Sequence, residues 1–377
     1  GDVNGDGYSD VIVGAYGNSS NTGKAYIYFG GAPMNNIADV TMTGAAINYY
    51  LGRSVSFAGD VNGDGYSDVI VGAEGYNSNT GRAYIYFGGA VMNNTEDVTM
   101  TGTAVVNFFG RSVSTAGDVN GDGFSDVIVG ADGYNSSTGR AYVFYGGATP
   151  DNTPDITMTG EAAGSEFGRS VSFAGDVNGD GYSDVIVGAK GFSSSMGRAY
   201  IYFGGATPEN TADIAMTGES TNNFFGRSVS TAGDINGDGY SDVIVGADGN
   251  TSNKGRAYIF FGGENMNNTA DVTLTGEVVG NEFGRSVSSA GDINGDGYSD
   301  VIVGANSYSS NTGRVYLYDY FMKNEISTDL VLKGEVSGSS FGISVSSAGD
   351  VNGDGYSDVI IGANNYLSST GRAYIFF

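Results

Sequence analysis

A nine-residue motif, Asp-Val/Ile-Asn-Gly-Asp-Gly-Tyr/Phe-Ser-Asp, occurs seven times in this chain at intervals of 58 residues. A fixed period of that length restricts the fold to an array. Each repeat is then one supersecondary unit that buries its apolar face only against its neighbours. The 377 residues hold six whole repeats and half of a seventh. The chain therefore reads as one domain, 1–377, with repeats starting at residues 1, 59, 117, 175, 233, 291 and 349.

The repeat around the fourth motif serves as a template. Phe167 to Ala174 alternates large and small side chains, as a strand does. The motif follows, and then Val185-Ile186-Val187-Gly188-Ala189, a short apolar run suited to burial on both faces. Residues 190–197 are a polar connection. Arg198 to Phe203 is a third strand rich in β-formers, ended by Gly204-Gly205, and Asp213 to Gly218 is a weak fourth. No segment keeps a helical period over ten residues. Four strands per repeat and no helix point to an all-β, seven-bladed β-propeller of four-stranded antiparallel blades. The count leaves the first blade without its innermost strand and the last without its outermost. Flanking sequence supplies those strands, or the ring closes imperfectly, or another chain donates them.

The motif is an oxygen cage. Its carboxylates and amide stand at alternating positions, and its glycines let the chain curl without Cβ clashes. Calcium, a hard cation with six to eight oxygen ligands, suits it best; magnesium demands a stricter octahedron, and zinc lacks Cys or His ligands here. The expected ligands are Asp2, Asn4, Asp6, the Tyr8 carbonyl and Asp10 in the first loop, and Asp60, Asn62, Asp64, Tyr66 and Asp68 in the second. They continue as Asp118, Asn120, Asp122, Phe124 and Asp126, then Asp176, Asn178, Asp180, Tyr182 and Asp184. Asp234, Asn236, Asp238, Tyr240 and Asp242 follow, then Asp292, Asn294, Asp296, Tyr298 and Asp300, and last Asp350, Asn352, Asp354, Tyr356 and Asp358. Phe124 stands where the other loops have Tyr, so only the main chain at that position can be a ligand. An EF-hand shares the opening of the motif but needs Glu at the twelfth position and a helix beyond; here Val13 opens onto a β-rich run. The alternative without metal is an Asp/Asn/Gly turn. Up to seven ions are expected, in a structural role.

Charge supports this reading. The formal charge is −26, and the loops hold 21 of the 42 acids. Seven divalent ions would add fourteen positive charges and leave −12. So acidic a chain is a poor nucleic-acid partner. Cysteine is absent and no 18-residue apolar run occurs, so membrane insertion is not expected. Weak multi-oxygen loops suit the millimolar calcium outside cells, which favours a secreted or cell-surface protein. Asn18, Asn93, Asn135, Asn250 and Asn267 open Asn-X-Ser/Thr sequons.

Phe-Gly before the loop, with Leu51-Gly52 as one variant, and Val-Gly-Ala after it, as in Phe167-Gly168 and Val187-Gly188-Ala189, resemble the FG-GAP repeats of the integrin α-subunit propeller. The resemblance covers nearly the whole chain. It implies calcium in the loops joining the first two strands of each blade, on the lower face. Two departures stand out. All seven units carry the loop, and the family's final Pro is replaced by Tyr16, Glu74, Asp132, Lys190, Asp248, Asn306 and Asn364. The near-identical units suggest recent duplication or design.

The function implied is a non-enzymatic, extracellular adhesion or ligand-binding module whose partner is a protein or a glycan. Its binding face would be the one opposite the loops. Candidate contacts there are Tyr76, Tyr134, Phe192, Tyr308 and Tyr366, with the pairs Tyr49-Tyr50 and Phe108-Phe109; the competing reading is that these rings pack between blades. A lectin would need pockets between blades lined by matched polar groups. A spacer or filament subunit joined by strand exchange would use the incomplete ends. An enzyme acting on polysaccharide would have to work without His or Cys; the deviations Glu166, Lys190, Glu282 and Lys323 form no visible constellation. Arg53, Arg111, Arg169, Arg227 and Arg285 follow Phe-Gly or Leu-Gly near the axis, and salt bridging explains them better than an anion-binding ring broken at Ile343. Residues 316–333 are the least regular stretch.

Overall fold

The computed structural model describes the backbone of residues 1–321 and 325–377, and their side chains except at positions 320, 321 and 325–329. Seven antiparallel sheets follow one another along the chain. Five have four strands in sequence order; the first and last have three. In the fourth blade the strands are Phe167–Gly175, Asp184–Ala189, Arg198–Tyr202 and Ile214–Thr217. The first blade begins at the second strand position, Val11–Ala15, and the last ends at the third, Arg372–Phe376. The architecture and the position of the two missing strands match the sequence reading.

The core lies between blades. Val185 and Val187 of one blade pack with Ala141, Val143, Met158 and Phe167, and Tyr200 and Tyr202 join the same cluster. The Phe of each Phe-Gly is its anchor: Phe109, Phe167, Phe225, Phe283 and Phe341 are all at most 2% exposed. Phe225 sits edge-on to Phe260 with ring centroids 6.2 Å apart. Burying an aromatic of this size removes most of its 150–250 Å² from water.

The second-strand glycine is fixed by the neighbouring backbone. A Cβ on Gly188 would run into the carbonyl oxygen of Gly226 in the next blade, well inside the 3.0 Å that real Cβ atoms respect. The same holds for Gly130 against Gly168 and Gly246 against Gly284. Six parallel bridges, from Gly23–Leu51 to Gly313–Phe341, fasten this side of successive blades.

On the other side the ring closes completely. The Ser67 N–H donates to the Asp2 carbonyl at 3.0 Å, and each later loop repeats this bond to the loop before it. Ser9 makes it to Asp350 at 2.9 Å, and Gly31 donates to Val351 at 2.8 Å. Val11, Ala348 and Val351 form a small core at that last junction. Of the closures weighed from sequence, the structure has a joined ring with two open strand edges.

Two regions depart from expectation. The polar connection 190–197 and its six counterparts each contain a left-handed turn. Asn77, Ser78 and Asn79 have φ of 45°, 58° and 62°, a run that small polar residues tolerate. The irregular stretch becomes a longer hairpin, Arg314–Phe321 paired with Glu325–Lys333. Lys323 lies outside the described residues.

Candidate functional site

The lower face carries the seven loops. In the first, Asp2 Oδ1 accepts the Gly5 and Asp6 N–H groups at 2.7 and 3.2 Å, and Oδ2 accepts the Gly7 N–H at 2.9 Å. Asn4 Oδ1 accepts from Asp6 N, and Asp6 Oδ1 from Tyr8 N. The other loops repeat this pattern. Gly5 and Gly7 have φ of +75° and +91°, which is why the cage needs glycine. The aromatic at the seventh position has a role that the sequence did not reveal. The ring of Tyr66 lies over Gly5 of the preceding loop, Phe124 over Gly63, and Tyr8 over Gly353 across the last junction. Tyr and Phe exchange here because the ring packs between loops.

The last aspartate of the motif is set apart from the rest. Asp10, Asp68, Asp126, Asp184, Asp242 and Asp300 are 0% exposed, and Asp358 is 1% exposed. Asp184 accepts the Val177 N–H at 2.8 Å through Oδ2 and the Gly204 N–H at 2.8 Å through Oδ1. It thus ties its own loop to the connection after the third strand of the same blade. Asp300 and Asp358 lack the second partner and keep a buried, unbonded Oδ1. Burial pushes these carboxyls up, against the pull of the N–H bonds and with help from the loop's other acids. Asp10 and Asp68 rise to about 6, and Asp126, Asp184, Asp242 and Asp300 to about 7.

In kind, these donors suit calcium: every side-chain ligand offers oxygen. As placed, the oxygens turn onto the loop's own amides. Among the described residues no three acidic side chains form a group that could hold a metal ion.

The upper face brings together the connections between the second and third strands and between the fourth and first. Tyr50 N donates to Asn21 O, and Phe108 N to Asn79 O, each at 2.9 Å. The five candidate aromatics are here, but none is open. Tyr76, Tyr134, Phe192 and Tyr308 are half-buried and Tyr366 is buried. An Arg from the following strand lies over each ring: Arg82 over Tyr76 at 3.6 Å, Arg140 over Tyr134 at 3.7 Å, Arg198 over Phe192 at 4.0 Å, Arg314 over Tyr308 at 3.7 Å and Arg372 over Tyr366 at 3.9 Å. Tyr49 meets Tyr76 edge-on at 5.2 Å. This favours the packing reading of these rings. Arg198, Arg314 and Arg372 are further held by a glutamate 37 residues earlier, Glu161, Glu277 and Glu335, as Arg256 is by Glu219, a pairing visible only once neighbouring blades are adjacent.

Near the axis, arginines and acids interleave. Glu74 lies 3.1 Å from Arg53 and 3.3 Å from Arg111; Asp132 lies 3.6 Å from Arg111 and 3.5 Å from Arg169. Asp248 is 3.0 Å from Arg285 and 3.9 Å from Arg227. The expected salt bridging is therefore present. The positions vacated by the family's proline supply its acids. Where Lys190 replaces the acid, Glu166 pairs with it at 2.7 Å, so two deviations that looked unrelated form one ion pair. The most exposed apolar side chains of this face are Ile47 at 67% and Val105 and Val279 at 60%, in the fourth-to-first connections, and Leu367 at 58% in the last second-to-third connection; Val106 and Val278 follow at 53%. No helix among the described residues is long and apolar enough to cross a membrane.

The family model for the FG-GAP repeat matches residues 1–28, 51–86, 109–144, 167–202, 225–260, 283–318 and 341–376. Integrin alpha-3 of Cricetulus griseus is 37% identical over 91 residues, which is 22% of this chain and 8% of the integrin. Integrin alpha-4 of Xenopus laevis is 38% identical over 94 residues, 23% of this chain and 9% of that protein. The chain thus spans under a tenth of the curated relatives it matches. A solved structure described as the Dos1 propeller superposes with a TM-score of 0.53 over 94% of this chain and 72% of its own, at 12% identity, a likeness of fold alone. The seven matched segments take in each loop and the strands that flank it, and the chain belongs to the FG-GAP repeat family.

Proposed function

We propose that this propeller is an extracellular adhesion or ligand-binding module that works without catalysis. Its upper face meets a macromolecular ligand, and calcium in the lower loops holds each blade. The observation that carries the binding reading is the set of exposed valine pairs, Val105-Val106 and Val278-Val279, on the face away from the acidic loops. Apolar side chains exposed side by side on one face suit contact with a macromolecular ligand. Kinship with integrin α-subunits supports an extracellular setting. The all-oxygen donor set, repeated seven times, supports calcium.

The test is binding of the purified protein to immobilised extracellular-matrix proteins and a glycan array, with and without EDTA. The double variant V105D/V106D should lose binding, and Asn4→Asp on the lower face should not. Equal loss in both, or no binding anywhere, would refute the upper-face assignment. For calcium, each loop that binds only the folded state adds about 2.7 kcal/mol at a hundredfold excess over Kd. A melting temperature that ignores EDTA and added calcium would refute that part.

A further inference from the structure

On the upper face, between the fifth and sixth blades, lies a cavity of about 90 Å³ lined by Phe224, Arg227, Asp248, Asn253, Glu282 and Arg285. Its groups have unused hydrogen-bonding capacity. Asp248 is 4% exposed, yet its Oδ1 has no hydrogen-bond partner. A buried carboxylate oxygen left in that state is costly unless something enters to donate to it. Arg227 lies 3.9 Å from Asp248, beyond hydrogen-bond distance, so its guanidinium donors are available. Glu282 approaches Arg285 only at 3.9 Å, and Asn253 is exposed at the rim.

The chemistry of the occupant follows from this inventory. Two arginines face one aspartate and one glutamate, so the formal charges cancel and a charged ligand of either sign gains no net attraction. Spare donors and spare acceptors lie side by side. Hydroxyl groups, which both donate and accept, satisfy both at once. Phe224 supplies an apolar wall, against which the C–H face of a ring can lie. The cavity has room for several waters or one small ring. We infer that this cavity is a subsite for one neutral sugar ring, a statement that rests on the upper face being the binding face. The same residue types recur two blades earlier at Phe108, Arg111, Asp132, Glu166 and Arg169, with Ser137 in place of Asn253. One blade earlier the constellation is broken, because Lys190 occupies the position of Asp248 and pairs with Glu166.

The test is saturation-transfer NMR and calorimetry on the intact protein with methyl glycosides of glucose, galactose, mannose and N-acetylglucosamine. Sodium acetate and methylguanidinium chloride serve as charged comparators. At least one glycoside should bind with Kd of about 1 mM, as expected for so small a ligand, and neither charged probe should match it. Asp248→Asn should weaken that glycoside at least about tenfold, roughly one lost hydrogen bond to a charged group, and Phe224→Ala should weaken it severalfold through loss of the apolar wall. Asn253→Gly, which removes the exposed amide and suits the left-handed φ of 60° at this position, should weaken it severalfold with little change in melting temperature. No glycoside binding at about 50 mM, or binding indifferent to Asp248→Asn and Asn253→Gly, overturns the inference. If Asp248→Asn abolishes capture of a matrix protein while no free sugar binds, the sugar class is wrong and the upper-face reading stands. If sugars bind but no macromolecule does, the subsite stands and the adhesion reading falls.

Discussion

Gly188→Ala tests the argument that adjacent blades meet backbone to backbone. Gly188 is in ordinary strand geometry, so alanine brings no conformational strain of its own. The difficulty is steric. The new Cβ would collide with the Gly226 carbonyl of the next blade and, to reach the 3.0 Å that real Cβ atoms respect, the two backbones must part by about 1 Å. The atom it meets is main chain, held by the Gly226 N–H bond to Gly246 O at 3.1 Å, and cannot swing aside as a side chain would. Overpacking of this kind costs about 1–3 kcal/mol, and the upper end applies where both partners are backbone. For 377 residues the unfolding entropy is about 0.8 kcal/mol/K, so a loss of 3 kcal/mol lowers the melting temperature by about 4 °C if the ring unfolds as one unit. Gly17→Ala is the control. Nothing lies within 4 Å of its would-be Cβ, and its φ of −82° suits alanine, so it should be neutral or gain up to about 1 kcal/mol. Both variants would be melted by calorimetry beside the parent protein in the same buffer. A Gly188→Ala melting point within 1 °C of the parent, or equal shifts in the two variants, would refute the packing argument.

Phe225→Ala should cost about 3–5 kcal/mol in denaturant titrations. Phe225→Leu should cost less than about 1.5, because Leu51 fills the same position in the second blade. Arg198→Ala should be more destabilising than Arg256→Ala by about 0.5–1 kcal/mol, since Arg198 covers Phe192 while Asn250 stands at the equivalent place before Arg256. A double comparison by chemical unfolding measures that difference. The buried loop aspartates give a pH dependence whose sign is fixed. Their pKa values rise on folding from 3.8 to about 6 or 7, so the fold prefers them protonated. That contribution is complete below about pH 4 and is lost as pH rises through 6 to 7. With EDTA present, the protein should melt higher at pH 5 than at pH 8. A melting point rising steadily over that range would show that burial does not govern these groups.

The period and the strand run Val185–Ala189, each repeated seven times, and the Phe-Gly pairs, five with Leu51-Gly52 as a sixth, made the blade and the number of blades legible in the sequence, because each is a local pattern. So were the oxygen-rich loops and the two missing strands. What the sequence could not give is anything that depends on which blade lies beside which. Tyr66 was read as a main-chain ligand position, yet its ring covers Gly5 of the neighbouring loop. Tyr76 and its counterparts looked like surface aromatics until Arg82 and its equivalents were seen lying over them. Lys190 and Glu166 were separate oddities until the ring placed them 2.7 Å apart.

The physical reason for this division is range. Strand formation, turn geometry and loop chemistry are decided within a few residues, so the chain states them outright. Ring closure, the burial of Asp184, the interleaving of arginines with acids and the cavity beside Asp248 arise between residues tens of positions apart. Only when seven copies of one unit close on themselves do those groups meet.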